Sequence, residues 1–183
     1  MEETKVKIKL NGGIMPKRAS KGSSGYDLYC PKDMYLDYNP DTEGRLIVKL
    51  GFSVEMPSNL EMQIRPRSGF SAKGIEVEVQ YFDEFGFCVH QEEGVRLNAD
   101  CLLGTVDSDY RDEVGVIMRI NSYGFKKPSA RYSYFKVILR KGVRIAQAVF
   151  AEKPDIRLVE VDDLDMSNDR GGGFGHSGSS QNI

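Results

Sequence analysis

The stretch of ten residues Gly104–Glu113 carries the side chains best suited to acid–base chemistry, and apolar residues flank it on both sides. Asp107 and Asp109 stand two positions apart, so in an extended chain their carboxylates would point to the same side. One of them could stay ionised as a general base while a neighbouring cation holds the other. A hairpin turn with a solvated acidic tip accounts for the same residues, and both interpretations stay open here.

A phosphate cradle is the second candidate site, in the segment Arg65–Gly69. Ser68 stands at the start of a short predicted helix that runs through Lys73 and ends at Gly74. A serine hydroxyl, free backbone N–H groups at the positive helix end and the guanidinium of Arg67 would together bind a phosphate. An ordinary helix N-cap beside an exposed arginine is the alternative.

Polar residues in two further segments complete the set of candidates. Arg144 and Gln147 interrupt an otherwise apolar run, which simple strand alternation also explains. The end of the chain, Arg170–Ser180, is too rich in glycine to pack a core. Its arginine, serine and free amides suit a phosphate chain, and Phe174 could stack on a base. A disordered linker and an RNA-binding tail are the alternatives.

Composition limits the class of protein. The chain has 183 residues, 40% of them hydrophobic and 28% charged, with a formal net charge of −2. This charge argues against a protein that coats nucleic acid. Because no apolar run approaches the ~20 residues of a membrane helix and none opens the chain, we expect an intracellular, soluble protein. An odd cysteine count without Cys-x-x-Cys spacing predicts reduced, semi-buried thiols at Cys30, Cys88 and Cys101.

The elements that must position these residues are strands, because apolar residues recur mostly with a period of two. Strands are predicted at 5–10, 46–50, 52–56, 61–65, 76–80, 114–120, 135–139 and 146–150. Many short strands separated by polar turns indicate an all-β sandwich or a barrel-like double sheet. Residues 81–94, aromatic and acidic, interrupt the pattern as an inserted β-hairpin or extended loop. We expect residues 1–154 to form one β-domain, and residues 155–183 to form a C-terminal strand, a linker and a flexible glycine-rich arm.

Five of these segments, in this order, resemble the motifs of the trimeric dUTPase family. They are Ser24–Leu28, Pro66–Phe70, Gly104–Arg111, Gly142–Gln147 and Arg170–Gly178. The resemblance implies a distorted jelly-roll β-sandwich with one short helix, assembled as a homotrimer whose arms close neighbouring active sites. It also implies hydrolysis of dUTP to dUMP and pyrophosphate, by attack of water on the α-phosphate, with Mg²⁺ on the triphosphate.

The resemblance further implies a role for each motif residue. Asp107 would deprotonate the attacking water, Gln147 would hold that water or a phosphate, and Tyr110 would pack beneath the deoxyribose. Asp27 would be at most an outer-shell partner of magnesium, which has no direct protein ligand. A β-hairpin around residues 97–106 would select uracil. The remaining substrate-binding residues would be Arg67, Ser68, Gly69, Cys101, Thr105, Val106, Arg170, Phe174, Gly175 and Ser177.

Some positions depart from the family pattern. Cys101 stands where many members carry an asparagine, six positions before the aspartate base, and Asp112 stands where glycine is usual. Residues 81–94 lengthen the link between the second and third motifs, so they could bind a protein partner. The alternatives to a dUTPase are therefore a regulator built on the same scaffold, or another deoxynucleotide pyrophosphatase or dCTP deaminase of the superfamily.

Overall fold

The computed structural model describes residues 3–36, 43–122 and 133–169. Within these ranges the chain forms thirteen strands and one short helix. The elements are β1 (Lys7–Leu10), β2 (Lys17–Arg18), β3 (Tyr26–Tyr29), β4 (Met34–Tyr35), β5 (Arg45–Lys49), β6 (Phe52–Glu55), β7 (Leu60–Arg65), α1 (Ser68–Lys73), β8 (Ile75–Phe82), β9 (Cys88–Cys101), β10 (Gly104–Val106), β11 (Gly115–Ser122), β12 (Tyr134–Leu139) and β13 (Arg144–Glu152). Each of the eight predicted runs overlaps a strand, so the all-β prediction is confirmed.

Two antiparallel sheets make up most of the domain. One has the strand order β10-β7-β13-β3-β2, the other the order β4-β12-β8-β9-β11-β5, and β1 pairs with β6 in a small third sheet. Apolar side chains from both large sheets join one buried cluster, which includes Leu28, Met62, Val79, Met118 and Ile145. Strand β7 illustrates the cause: Leu60, Met62 and Ile64 alternate with polar residues, so one face of the strand is buried.

The helix α1 lies where the sequence predicts it, but its cap is different. Arg67 is the N-cap residue and makes no side-chain cap hydrogen bond, while Ser68 is already helical. The helix thus begins at Ser68, as predicted, and the alternative in which Ser68 is an ordinary N-cap is not what the structure shows. Gly74 ends the helix with a φ of +73°, and its N–H donates to Phe70 O at 2.8 Å. A Cβ at Gly74 would collide with the carbonyl oxygen of Leu97, so glycine is required there.

The predicted insertion at residues 81–94 is a β-hairpin, made by the end of β8 and the start of β9. Tyr81 pairs with His90 across it. Asp83 Oδ1 stabilises the turn by accepting the N–H groups of Phe85 at 3.0 Å and Phe87 at 2.9 Å. Both phenylalanine side chains are exposed at the tip. A protein partner for this tip stays a prediction.

Two sequence expectations are wrong in detail. Residues 97–106 do not form a hairpin, because β9 pairs with β8 and β11 whereas β10 pairs with β7 of the other sheet. The chain crosses between the sheets at Leu102 and Leu103. The strand expected after residue 155 is also not formed: residues 155–169 contain no strand, and apolar side chains such as Leu158 are exposed. Without a neighbouring strand, alternation alone gives these residues no hydrogen-bonded partner.

The proposed arm residues Arg170, Phe174, Gly175 and Ser177 lie outside the described residues. The one helix in the described ranges is not long and apolar enough to cross a membrane.

Candidate active site

Strand pairing brings the first, second and fourth motif segments together. Strand β13 lies between β3 and β7, and Gln147 stands opposite Asp27 on one side and Arg65 on the other. Arg67 and Ser68 follow directly after β7, at the start of α1. Segments that are separated by up to 120 positions therefore meet at one end of the five-stranded sheet.

Asp27 is the charged centre of this meeting point. Its Oδ1 accepts a hydrogen bond from Arg67 Nε at 2.7 Å, and its Oδ2 accepts one from Arg144 Nη1 at 3.3 Å. Asp27 is only 8% exposed, whereas half of the Arg144 side chain is accessible to solvent. One buried carboxylate thus orients two arginines, and one positive charge remains in excess.

Gln147 is held by its two neighbours. Its Nε2 donates to Pro66 O at 2.9 Å, which ties β13 to the residue before Arg67. A Cβ added to Gly25 would collide with Gln147 Oε1 and lie 3.1 Å from Gln147 Cβ. Glycine at position 25 is therefore what allows Gln147 to lie against the first motif.

An open cleft of about 580 Å³ lies beside these residues, between α1 and the turn before β13. Its lining includes Arg67, Gly69, Gly142 and Arg144 from the second and fourth motifs. A Cβ at Gly69 would meet nothing within 4 Å, so this backbone faces open space. The cleft can admit an anion without rearrangement of the backbone.

A smaller, more apolar pocket of about 210 Å³ is built around β10. Thr105, Val106 and Tyr110 line it together with apolar side chains such as Ile64 and Val114. The Tyr110 hydroxyl donates to Glu113 O at 3.1 Å, which fixes the orientation of the ring. Such a pocket suits a flat, weakly polar group. It shares no lining residue with the cationic cleft.

Asp107 and Asp109 lie in a tight turn, in which Tyr110 N donates to Asp107 O at 3.1 Å. Of the two interpretations left open by the sequence, the structure therefore shows the turn and not the extended chain. Ser108, 9% exposed, anchors the turn: its Oγ accepts from Lys153 Nζ at 3.2 Å. Arg111 Nη1 donates to the carbonyls of Ser108 at 2.7 Å and Tyr110 at 2.9 Å. Asp107 itself is exposed at the surface of an anchored turn.

The acidic side chains near the cleft determine how a magnesium ion could be bound there. No group of three or more His, Cys, Asp or Glu side chains that could ligate a metal occurs within the described ranges. Both oxygens of Asp27 are engaged by arginines. This donor set fits a magnesium ion bound mainly by phosphate oxygens and water, with Asp27 no closer than the outer shell.

The three cysteines are free thiols, as predicted. Cys30 and Cys101 are buried, and burial raises the pKa of each thiol to about 11. Cys88 is exposed on the inserted hairpin, so the prediction of a semi-buried position is wrong for this residue. Cys101 belongs to the core and does not line the pocket around Tyr110. Its role in substrate binding stays a prediction.

The cleft also contains basic residues that the sequence interpretation assigned no role. They are Lys73, Arg96 and Lys141. A signal was present, because Lys73 and Lys141 stand within five positions of the second and fourth motifs. They line one cleft only because the fold brings α1, β9 and the turn before β13 around it.

The fold and the charge of the cleft define an all-β protein with an open cationic cleft. The sequence model of the dUTPase family matches residues 11–88. The deoxyuridine 5'-triphosphate nucleotidohydrolase of Caulobacter vibrioides is 36% identical over 168 residues, which cover 90% of this chain and 85% of that protein. The Anaplasma marginale protein of the same name is 35% identical over 179 residues, covering 96% and 99%. The chain belongs to the dUTPase family.

Solved structures resemble this fold. The dUTPase of Staphylococcus bacteriophage 80alpha with dUpNHpp has a TM-score of 0.69 at 21% identity, covering 95% of this chain and 98% of that chain. A variant of the phage phi11 dUTPase of S. aureus, described with a structural Mg(II) ion, has a TM-score of 0.63 at 17% identity, covering 88% and 99%. The predicted jelly-roll β-sandwich is confirmed.

Proposed function

We propose that this chain is a dUTP diphosphatase, which hydrolyses dUTP to dUMP and pyrophosphate. One observation carries the proposal: the open cationic cleft is built from the same segments, around Arg67 and Arg144, that resemble the phosphate-binding motifs of the family. The relatives named as deoxyuridine 5'-triphosphate nucleotidohydrolases support the same activity.

Arg67, Ser68 and Gly69 bind the triphosphate in this proposal. The guanidinium of Arg67 is already oriented by Asp27, so little side-chain entropy is lost when a phosphate binds. The open space in front of Gly69 lets a phosphate approach its backbone N–H closely. Gln147, fixed by its bond to Pro66, holds a phosphate or the attacking water.

The pocket around Tyr110 binds the nucleoside. The Tyr110 ring packs against the deoxyribose and leaves no room for a 2′-hydroxyl. Thr105 and Val106 contribute backbone contacts to the base. A close pocket of this kind rejects a nucleotide whose polar groups it leaves unpaired. The Cys101 side chain is buried, so Cys101 acts on the base only indirectly, by positioning the backbone of the next residue, Leu102, which lines the pocket.

Asp107 is the general base. Its carboxylate accepts a proton from the water whose oxygen attacks the α-phosphorus, and the bond from that phosphorus to the bridging oxygen breaks. Pyrophosphate leaves with the bridging oxygen. Magnesium held mainly by the triphosphate and water, with Asp27 at most in its outer shell, would supply positive charge that offsets the negative charge of the departing pyrophosphate. The anchored turn around Ser108 keeps Asp107 in one position.

A homotrimer completes the site. The cationic cleft and the nucleoside pocket share no lining residue in one chain, which supports a site assembled from different copies. Arg170, Phe174, Gly175 and Ser177 would close it as the C-terminal arm, with residues 155–183 outside the 1–154 domain. Light scattering coupled to gel filtration tests the trimer, and a monomeric active enzyme would contradict it.

Pyrophosphate release from dUTP, dTTP, dCTP and UTP, with magnesium and with a chelator, tests the activity. Magnesium-dependent turnover of dUTP alone is expected, and absence of dUTP turnover would overturn the proposal. Ammonia release from dCTP would favour the deaminase alternative.

The Asp107→Asn variant should lose ~10²–10⁴-fold in kcat, the usual contribution of a general base. Asp109→Asn is the matched control, since it removes a carboxylate from the same turn. A loss below ~10-fold in Asp107→Asn would remove Asp107 from the role of base.

A further inference from the structure

The cationic cleft contains more positive charge than the motif residues supply. Its lining includes five basic side chains and one acidic side chain, Glu76. The basic residues are Arg67, Lys73, Arg96, Lys141 and Arg144. The recognised motifs account for only two of these cations.

Among the residues that the structure describes, carboxylates partner three of the five cations. Asp27 engages Arg67 and Arg144, and Glu76 Oε2 lies 3.1 Å from Arg96 Nη2. Within the described ranges, the ammonium groups of Lys73 and Lys141 have no hydrogen bond or ion pair. The lining residues together with Asp27 therefore carry three positive charges in excess, and the nearby carboxylate of Asp33 offsets part of the charge of Lys141.

A structural role alone does not explain both lysines. Lys73 stands in the last turn of α1, where a cation offsets the partial negative charge of the helix end. That reason does not extend to Lys141, which stands in the turn before β13. Two lysines from different elements line the same cleft, so an anion bound between them is the simpler common explanation.

Hydrogen bonds to Asp33 and Glu78 fix the turn that carries Lys141. Lys141 N donates to Asp33 Oδ1 at 2.7 Å, and Arg140 Nη1 donates to Asp33 Oδ2 at 2.6 Å. Arg140 Nε also donates to the buried Glu78 at 2.5 Å. Arg140 is thus held at one end of the short segment 140–144, and Arg144 is held by Asp27 at the other end. These contacts position Lys141 beside the cleft before a ligand binds.

We propose that Lys73 and Lys141 form a second cationic subsite, which binds the outer two phosphates of the substrate and then the departing pyrophosphate. The inference rests on the proposed dUTP hydrolysis and deepens it. The two lysines touch neither the attacking water nor the α-phosphorus. They bind the substrate and the transition state about equally, so they act on KM rather than on kcat.

The test uses the full-length variants Lys73→Met and Lys141→Met and the double variant. Exposed charge pairs contribute about two- to fivefold in affinity each. The double variant should therefore raise KM for dUTP and the inhibition constant of pyrophosphate by ~5–20-fold, with kcat changed less than about twofold. Inhibition by dUMP should stay unchanged, because dUMP lacks the outer phosphates.

Two controls separate a subsite from a general effect. Lys9→Met removes an exposed charge from β1, outside the cleft, and should change none of these constants. Lys73→Arg and Lys141→Arg keep the charge and should restore most of the affinity. If the double variant weakened inhibition by pyrophosphate and by dUMP equally, the lysines would act only through their general electrostatic field, and the subsite would be overturned. Unchanged constants in the double variant would also overturn it.

Direct binding separates failure of the subsite from failure of the proposed function. Calorimetric titration with inorganic pyrophosphate needs no turnover and can be carried out even if dUTP is not hydrolysed. Pyrophosphate binding that is lost in the double variant supports the subsite under either outcome. Equal pyrophosphate affinity in wild type and double variant, each folded by its melting temperature, contradicts it.

Discussion

Asp27 Oδ1 lies 2.7 Å from Arg67 Nε, although the two residues stand forty positions apart in the sequence. The same carboxylate also accepts a hydrogen bond from Arg144. Each residue belongs to a different motif segment, so a single buried carboxylate joins three parts of the chain. The Asp27 carboxylate orients both arginines, and both arginines line the cationic cleft.

Asp27→Asn should therefore reduce both stability and substrate affinity. An amide oxygen cannot replace both charged hydrogen bonds, and we expect a loss of ~1–3 kcal/mol in the free energy of unfolding. The loss stays below that of a fully buried pair because half of the Arg144 side chain is exposed. Urea denaturation measures the change, and KM for dUTP should rise in parallel. Asp155→Asn is the control, and equal stability of the two variants would contradict this role.

Gly25→Ala should lower the melting temperature and kcat, whereas Gly69→Ala should raise KM. A Cβ at position 25 collides with Gln147 Oε1, so the alanine must displace Gln147 and should lower both melting temperature and kcat. A Cβ at position 69 meets nothing in the free chain, so the melting temperature should hold. That Cβ would occupy the approach of a phosphate, so KM should rise. Thermal unfolding and initial rates measured on both variants check the pair, and a normal KM in Gly69→Ala would contradict the phosphate contact.

The Ser108 anchor should influence catalysis through Asp107. Removal of the Oγ in Ser108→Ala takes away the partner of Lys153 Nζ and should cost ~0.5–1.5 kcal/mol of stability. The turn then holds Asp107 less firmly, so kcat should fall while KM for dUTP changes little. Ser108→Thr keeps the hydroxyl and should recover part of the rate. A rise in KM at constant kcat would instead indicate a role in substrate binding.

The sequence predicts the strands well because one face of each strand is buried, and burial produces the period of two in residues such as Leu60, Met62 and Ile64. The helix from Ser68 to Gly74 is predictable for a local reason, since glycine can adopt the positive φ that ends it. These signals lie within a few residues of one another and need no knowledge of the fold.

The contacts across the sheets could not be predicted in this way. Nothing local indicates that Asp27 pairs with Arg67 and Arg144, since the register of β3, β7 and β13 brings them together. Glu78 appears in an alternating run as an exposed residue, yet it is buried against Arg140. The crossing at Leu102 is not predictable either, because a change of sheet leaves the alternation of the flanking strands intact.

Thiol labelling should separate the three cysteines. Cys88 is exposed, whereas burial shields Cys30 and Cys101 and raises their thiol pKa to about 11, so few thiolates form near pH 8. Iodoacetamide should modify Cys88 alone in the native protein, as peptide mass spectrometry can measure. Cys88→Ser should resist modification until denaturant is added. Rapid labelling of Cys101 in the native protein would show that its side chain is accessible and would support a direct contact between Cys101 and the base.

Asp33 should make stability depend on pH. Hydrogen bonds from Lys141 N–H and then from Arg140 lower the pKa of its carboxyl below the ordinary 3.8. A lowered folded pKa contributes stability that is fully present above the unfolded pKa and is lost as pH falls through the folded value. Asp33→Asn should therefore be less stable than wild type at pH 7, and the difference should shrink below about pH 4.

Urea denaturation at a series of pH values between 3 and 8 measures this difference. Asp155→Asn provides the control, since Asp155 makes no hydrogen bond within the described ranges and its curve should run parallel to that of wild type. The segment 140–144 links the effect to function. If Asp33 positions Lys141 beside the cleft, KM for dUTP in Asp33→Asn should exceed that of wild type at neutral pH. A stability difference that stays constant down to pH 3 would mean that the Asp33 carboxylate is not held as the two hydrogen bonds require.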